Sequence, residues 1–227
     1  MTTLAIVGAT GLVGGFFTSL ARTATLPSDI TNVVAISRKA VKLDFSASSN
    51  KITNTVAPDL VSAIPSDTKI LFSGLGTTKA TAGSFEKQYA IDYTLNLDLA
   101  KAAKTAGATT YVLVSSTGAS EDAYFAYSKM KGELERDVKA LDFERTIILR
   151  PGLILGDRPE DKRPAEALAQ GLYKGLRKIP VLGGFTKSSS IPAEDIAKAA
   201  FVLINKGEKG VGIYGNTELV ELAKEYK

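Results

Sequence analysis

Histidine, cysteine and tryptophan are all missing from this chain. Without histidine there is no Ser-His-Asp triad, no imidazole general base and no imidazole metal ligand. Without cysteine there are no disulfides, no thiolate nucleophile and no sulfur ligand, and no metal centre is expected. Acid–base chemistry near neutral pH must therefore come from Tyr, Lys, Asp or Glu with shifted pKa values. Also lacking are an apolar run near the ~18 residues of a membrane span and a basic run interleaved with stacking aromatics, so no nucleic-acid partner is expected. Internal repeats are absent as well. The first apolar segment begins by about residue 3, which leaves no expected signal or transit peptide.

What is present suits a soluble α/β domain. The 227 residues are 44% hydrophobic and 23% charged, enough for one large core. The formal charge of +4 suits an anionic ligand or an acidic surface, and equally a slightly basic solvated face. Short apolar runs at Leu4–Val7, Val33–Ile36, Lys69–Phe72, Tyr111–Val114 and Thr146–Leu149, with a weaker one near Lys51–Thr55, alternate with helical patterns. The helices are expected at about 12–24, 58–64, 84–105 and 125–140. Continuous rather than alternating apolar runs imply strands buried on both faces, hence a doubly wound parallel sheet. Past Pro151-Gly152 the rhythm breaks. We expect a small substrate-covering lobe over about 153–190 with a helix near 165–176, then a helix near 193–204, a short strand at Gly210–Tyr214 and a C-terminal helix. All of it reads as one dinucleotide-binding domain.

The first strand runs into Gly8-Ala9-Thr10-Gly11-Leu12-Val13-Gly14 and then at once into a helix. Three glycines at this junction serve a tight turn, close backbone approach to a ligand and close packing of helix on strand. The helix N-terminus presents free N–H groups to a pyrophosphate. The second strand ends in Ser37-Arg38-Lys39, with no acid to bind a ribose 2′-hydroxyl. A guanidinium there, flanked by Ser37 and Lys39, favours a 2′-phosphate and hence NADP(H) over NAD. Asp44 is a candidate for the adenine edge, or a solvated carboxylate. The fourth strand opens into Gly74-Leu75-Gly76, small enough for backbone to lie along a flat cofactor. Asp92 and Asn96, four apart, share a face of the next helix and either meet the site or cap and solvate.

The fifth strand ends in Ser115-Ser116, and Tyr127 and Lys131 follow one helical turn apart. An ammonium beside a phenol is expected to lower the tyrosine pKa toward neutrality. The tyrosine then exchanges a proton with a substrate oxygen while Ser116 hydrogen-bonds the same oxygen. Composition alone, with 8 tyrosines, produces about one Tyr-x-x-x-Lys pair by chance. Its place after Ser-Ser, in a chain with an N-terminal glycine turn, gives it weight.

The succession Gly8-x-x-Gly11-x-x-Gly14, Val114-Ser115-Ser116, Tyr127-x-x-x-Lys131 and Arg150-Pro151-Gly152 resembles the short-chain dehydrogenase/reductases in their extended or atypical branch. Tyr127-Ser-Lys-Met-Lys131-Gly-Glu133 and Leu155-Gly156 are similar to the Tat-interacting protein group, including its fungal members associated with the mitochondrial outer membrane. The resemblance implies catalytic roles for Ser116, with Ser115 its rival, Tyr127 and Lys131. It implies a cofactor cradle of Gly8, Gly11 and Gly14, a 2′-phosphate held by Arg38, and a nicotinamide carboxamide near Pro151, Gly152 and Leu153. Where relatives carry an asparagine that anchors a relay water, this chain has Asp92. The expected activity is NADP(H)-dependent reduction or oxidation of a small carbonyl or alcohol. A cofactor-sensing interaction protein and an epimerase-like enzyme are the alternatives. Peripheral attachment to the cytosolic face of the mitochondrial outer membrane is implied by the resemblance, against a cytoplasmic alternative. The cations Arg158, Lys162, Arg163, Lys174, Arg177, Lys178 and Lys187 suit an anionic surface. A homodimer is the assembly considered.

Overall fold

The computed structural model describes residues 2–42, 48–156 and 190–227. Its strands are β1 (Thr2–Val7), β2 (Ile30–Ser37), β3 (Ile52–Val56), β4 (Thr68–Ser73), β5 (Thr110–Val114), β6 (Arg145–Arg150), β7 (Leu153–Leu155), β8 (Ser190–Pro192) and β9 (Gly210–Gly215). Seven of them form one sheet in the order β3-β2-β1-β4-β5-β6-β9, and every pairing in it is parallel. The chain winds outward from β1 to β3, then returns to lay β4 on the other side of β1. That reversal opens a crevice at the carboxyl ends of β1 and β4, where open α/β sheets bind ligands.

Each buried strand feeds two cores, because successive side chains leave on opposite faces. From β1, Leu4 and Ile6 enter one core while Ala5 and Val7 enter the other. The first core packs α1 (Leu12–Leu20), α6 (Ala193–Lys206) and α7 (Asn216–Lys224) on one face of the sheet. Phe17 of α1 lies between Phe72 of β4 and Phe201 of α6, with ring centroids 3.7 and 4.2 Å away. The second core packs α4 (Asn96–Thr105) and α5 (Ala126–Lys139) on the opposite face. The doubly wound parallel fold expected from the alternation is the one observed, and the strands run one to three residues beyond their apolar centres.

Two expectations need correction, and one small sheet is added to what was expected. Residues 58–64 form turns, not a helix: the Asp59 carboxylate accepts from the Val61 N–H at 2.9 Å, and Pro65 disfavours helix in the residue before it. The helix expected over 84–105 is built in pieces. Two short helices, α2 (Lys79–Ala82) and α3 (Phe85–Tyr89), are started by Thr78 and Ser84 hydroxyls accepting from N–H groups three residues on. A π-helical turn, Ala90–Leu95, then joins α3 to α4. Finally, β7 and β8 pair in parallel as a separate two-stranded sheet; three residues each is too short for a pattern to announce. Asp44, the helix near 165–176 and the seven cations between Arg158 and Lys187 lie outside the described residues.

Candidate active site

The glycine turn is shaped by its own backbone. Gly8 adopts φ +83°, and a β-carbon there would lie 2.6 Å from the Gly74 carbonyl carbon. A β-carbon on Gly14 would lie 2.2 Å from the Gly8 oxygen. These two glycines therefore let the β1–α1 turn nest against the β4 loop. Gly11, the N-cap of α1, carries no side-chain cap and no acid follows in the first turn. The positive end of the helix is thus left open, with Thr10 and Gly11 exposed and Leu12 packed under Gly156. Val13 and Gly14 are buried and support the turn from below.

At the end of β2 the three expected residues divide. The Ser37 hydroxyl donates to the Lys39 carbonyl at 2.6 Å and accepts from Asn54 Nδ2 at 3.1 Å, so it holds the turn. Arg38 and Lys39 are exposed, and Arg38 makes no ion pair among the described residues. In the β4 loop, Gly74 and Leu75 are half-buried and Gly76 is exposed. The loop is held by Asp92, whose Oδ1 accepts from the Thr77 N–H at 2.7 Å, and by Gln88, whose amide donates to the Thr77 carbonyl at 3.1 Å and to Asp92 Oδ2 at 3.3 Å.

Asp92 is 1% exposed, and the π turn accounts for its position. A π turn adds a residue to the helical circuit and strains the usual i→i−4 pairing. Asn96 repairs it: its amide donates to the Ile91 and Asp92 carbonyls at 3.1 and 3.3 Å, while its oxygen accepts from the Ser73 hydroxyl at 2.5 Å. Tyr89 and Tyr93 then fasten the turn to α5 through hydrogen bonds to Glu133 at 3.3 Å and Asp137 at 2.5 Å. Asp92 lies between those two tyrosines in the chain, near enough to α5 for its charge to act on Lys131 and Tyr127.

The α5 side is a line of buried charge. Lys131 is 3% exposed and donates to the Val114 carbonyl at 3.1 Å. Burial pulls its pKa down, and Asp92 and Glu135 oppose that. Glu135, 1% exposed, receives the Ser115 hydroxyl and a bidentate clasp from Arg150: Nε at 3.0 Å and Nη2 at 2.5 Å. Ser115 is therefore committed to Glu135. Ser116 Oγ, by contrast, is buried without a well-formed hydrogen bond, although it lies near enough to Tyr127 to draw that pKa down. Of the two serines, Ser116 is the one that lies against Tyr127.

One expectation about Tyr127 is reversed. Its pKa is raised, not lowered: burial of the hydroxyl end is the largest influence and the Asp92 carboxylate the second, with Ser116 opposing. As a whole residue Tyr127 is still 42% exposed. The Lys131 ammonium, shared with two carboxylates, does not supply the expected lowering. Beyond β6, the Pro151 carbonyl accepts from the Thr117 N–H and the Gly152 N–H donates to Asn216 Oδ1, both at 2.8 Å. The Gly152 N–H is thereby committed within the chain, while the Pro151 oxygen keeps a second lone pair. Leu153 starts β7 and is half-buried.

The sequence reading missed Glu135 and the Arg150 side chain as parts of the site. The signal was available: Glu135 lies four residues after Lys131 and eight after Tyr127, on the same helical stripe. The HIM1 family model matches residues 25–177, two thirds of the chain. The chain belongs to the HIM1 family. It is similar to the mitochondrial protein fmp52 of Emericella nidulans, 40% identical over 99% of this chain and all of that protein. It is also 36% identical to mitochondrial FMP52 of Eremothecium gossypii, over 97% and 96% of the two chains. Among solved structures, a short-chain dehydrogenase/reductase of Saccharomyces cerevisiae superposes with TM-score 0.66 over the full length of both chains at 18% identity. A UDP-glucose 4-epimerase of Thermotoga maritima does so with TM-score 0.65 over 99% and 82% at 12% identity. At such identities the structural likeness establishes the fold: this HIM1-family chain has the Rossmann-like architecture of the short-chain dehydrogenases and epimerases.

Proposed function

We propose that this protein is an NADP(H)-dependent oxidoreductase of the short-chain dehydrogenase/reductase type acting on a small carbonyl or alcohol. The observation that carries this reading is the conjunction at the end of β5: an unbonded, buried Ser116 hydroxyl against Tyr127, with buried Lys131 one turn behind. Across the crevice, the open N-terminus of α1 and the side-chain-free nest of Gly8, Gly14 and Gly74 suit a dinucleotide pyrophosphate. Gly11, Thr10, Leu12 and the Gly74–Gly76 loop line its path, and Arg38 with Lys39 suits a 2′-phosphate.

When bound, the nicotinamide supplies or accepts the hydride. The chain supplies the rest. Lys131 has two ammonium protons beyond its bond to Val114 with which to hold ribose hydroxyls. Ser116 donates to the substrate oxygen. In reduction Tyr127 passes its proton to that oxygen, giving the alcohol and leaving a phenolate that solvent reprotonates. Glu135 and Arg150 hold α5, β5 and β6 in one register, so that Ser116, Tyr127 and Lys131 stay convergent. The nicotinamide-side walls come from Ser115, Pro151, Gly152 and Leu153 as shape rather than as free donors.

The mitochondrial names of the relatives favour a mitochondrial location. No described helix is long and apolar enough to cross a membrane, and we place the protein peripherally on the cytosolic face of the outer membrane. Release from mitochondrial membranes by high salt supports that placement, and retention in salt with release only by detergent contradicts it.

The cofactor is tested by titrating NADPH and NADH into wild type and Arg38→Ala, following nucleotide fluorescence. NADPH should bind wild type about tenfold more tightly than NADH, with that margin lost in Arg38→Ala. Equal affinities in wild type would refute the NADP(H) assignment, and no binding of either would refute the oxidoreductase.

A further inference from the structure

The two edges of the sheet are finished differently. At one end β3 carries the polar run Thr53-Asn54-Thr55. Its Asn54 side chain donates to the Ala35 carbonyl at 2.8 Å and accepts from the Val41 N–H at 2.9 Å, so the residues just past β2 are held against that edge. At the other end β9 pairs only with β6 among the described residues. Open edges are usually guarded by a charge, a proline or a bulge. The stretch Gly-Val-Gly-Ile-Tyr-Gly has no charge and no proline, and its register with β6 runs without a break. Val211 and Ile213 are exposed, at 52% and 39%. They leave the sheet on the face opposite to Tyr214, which packs on the first core, and they join neither core.

The backbone decides what can pair there. The Gly210 N–H donates to the Glu144 carbonyl at 2.8 Å. The N–H and C=O groups of Gly210, Gly212 and Tyr214 therefore face β6, and those of Val211, Ile213 and Gly215 face outward. The chain's own Glu218 carboxylate takes the Gly215 N–H at 2.7 Å, which leaves Val211 and Ile213 as a short open ladder. We propose that this edge is a self-association site, where two copies pair their β9 strands antiparallel about a two-fold axis through Gly212. Val211 then lies opposite Ile213 of the second copy, and the reverse, with backbone hydrogen bonds and an apolar contact at each pair. Lys209 comes opposite Gly215, where the Glu218 carboxylate is held, so each copy offers a cation to the other's anion. Lys209 is available for this: its pair with Glu144, at 3.3 Å, has side chains 81% and 57% exposed, and such a pair holds weakly. On the axis Gly212 presents no side chain, and the Tyr214 ring is folded back over it, 2.6 Å from where a β-carbon would stand. Moving the axis to Ile213 would set Val211 against Gly215, whose N–H is already used. This fit of the edge to its own sequence, repeated by the two-fold, favours a second copy over an unrelated strand. β5 and β6 separate the junction from the crevice at β4, so the cleft is no part of the interface.

Sedimentation velocity on the full-length protein tests this. Wild type should be dimeric at about 50 μM. Ile213→Lys, a change at an exposed site, should raise the dimer dissociation constant by about tenfold or more. Lys209→Glu should raise it by about threefold. Reversal of both charges in Lys209→Glu/Glu218→Lys should recover most of that loss, which a merely structural role for either residue would not give. Circular dichroism of each variant separates dissociation from unfolding, and Val211→Lys is read beside Ile213→Lys so that one poorly folding variant does not decide the matter. A wild type that stays monomeric at about 100 μM overturns the proposal. So does a dimer left intact by folded Ile213→Lys and Val211→Lys, because its interface then lies elsewhere.

Discussion

The two walls of the cleft are made by opposite means. On the β1–α1–β4 side the chain removes side chains, and the turn of Gly8 to Gly14 is packed backbone against backbone on Gly74. On the β5–α5–β6 side it buries charged side chains: Arg150 pairs with Glu135, and Lys131 bonds the Val114 carbonyl. The first wall is rigid because there is no room to move. The second is rigid only while each charge keeps its partner, since an unpaired ion in the interior costs far more than the pair contributes. Backbone packing makes a cradle whose shape does not change with pH. A charge line makes a site whose chemistry can be tuned by one residue.

That contrast can be broken on either side. The largest effect on stability is expected from Gly14→Ala, whose new methyl would meet the Gly8 oxygen at 2.2 Å. We expect a loss of about 3 kcal/mol in urea unfolding, together with loss of nucleotide binding. A stable, binding Gly14→Ala would mean the turn has slack that the packing denies. Glu135→Ala should come next. It leaves Arg150 without its carboxylate and Ser115 without its acceptor; because Arg150 is partly exposed, we expect about 2 kcal/mol. Glu135→Gln should cost less stability yet still slow turnover, as measured by steady-state rates beside the unfolding curves.

The smallest effect sharpens the comparison by leaving the charge line of the second wall alone. Tyr111 is buried on β5 with its hydroxyl near Ser73 but without a well-formed hydrogen bond, and burial, opposed by Ser73, raises its pKa above the ordinary value of 10.0. In the unfolded chain the phenol loses its proton near 10.0, while in the native state it keeps it. The native state thus binds more protons above that pH, and stability falls as pH rises past it. Tyr111→Phe should be within about 1 kcal/mol of wild type at pH 8 and should lose less stability between pH 8 and 10.5. A steeper alkaline loss in Tyr111→Phe would contradict the assignment.

The same contrast explains what the sequence disclosed. The glycine turn was legible because tight backbone contacts leave a fixed spacing of glycines, and the parallel strands were legible because burial on both faces leaves unbroken apolar runs. Tyr127 and Lys131 were legible as an i, i+4 pair. Their electrostatics were not, because the groups that set them arrive from elsewhere: Asp92 from the π turn, Glu135 from one turn further along α5, Arg150 from the end of β6. The π turn itself left no periodic trace, since one added residue within 84–105 only blurs a helical pattern. The lowered Tyr127 pKa expected from the pair alone was reversed by burial first and by the Asp92 carboxylate second, neither of which the i, i+4 spacing reveals, and the bond from Ser115 to Glu135 joins residues 20 apart in the chain.

The central claim is that Tyr127 gives or takes the substrate's proton at a nicotinamide site. The most direct measurement compares NADPH oxidation by wild type and Tyr127→Phe over a panel of aldehydes, ketones and quinones, with NADPH affinity measured in parallel. The account predicts turnover by wild type and a loss of about 10²–10⁴-fold in Tyr127→Phe, with cofactor affinity and unfolding midpoint little changed. Equal turnover by the two proteins would contradict it.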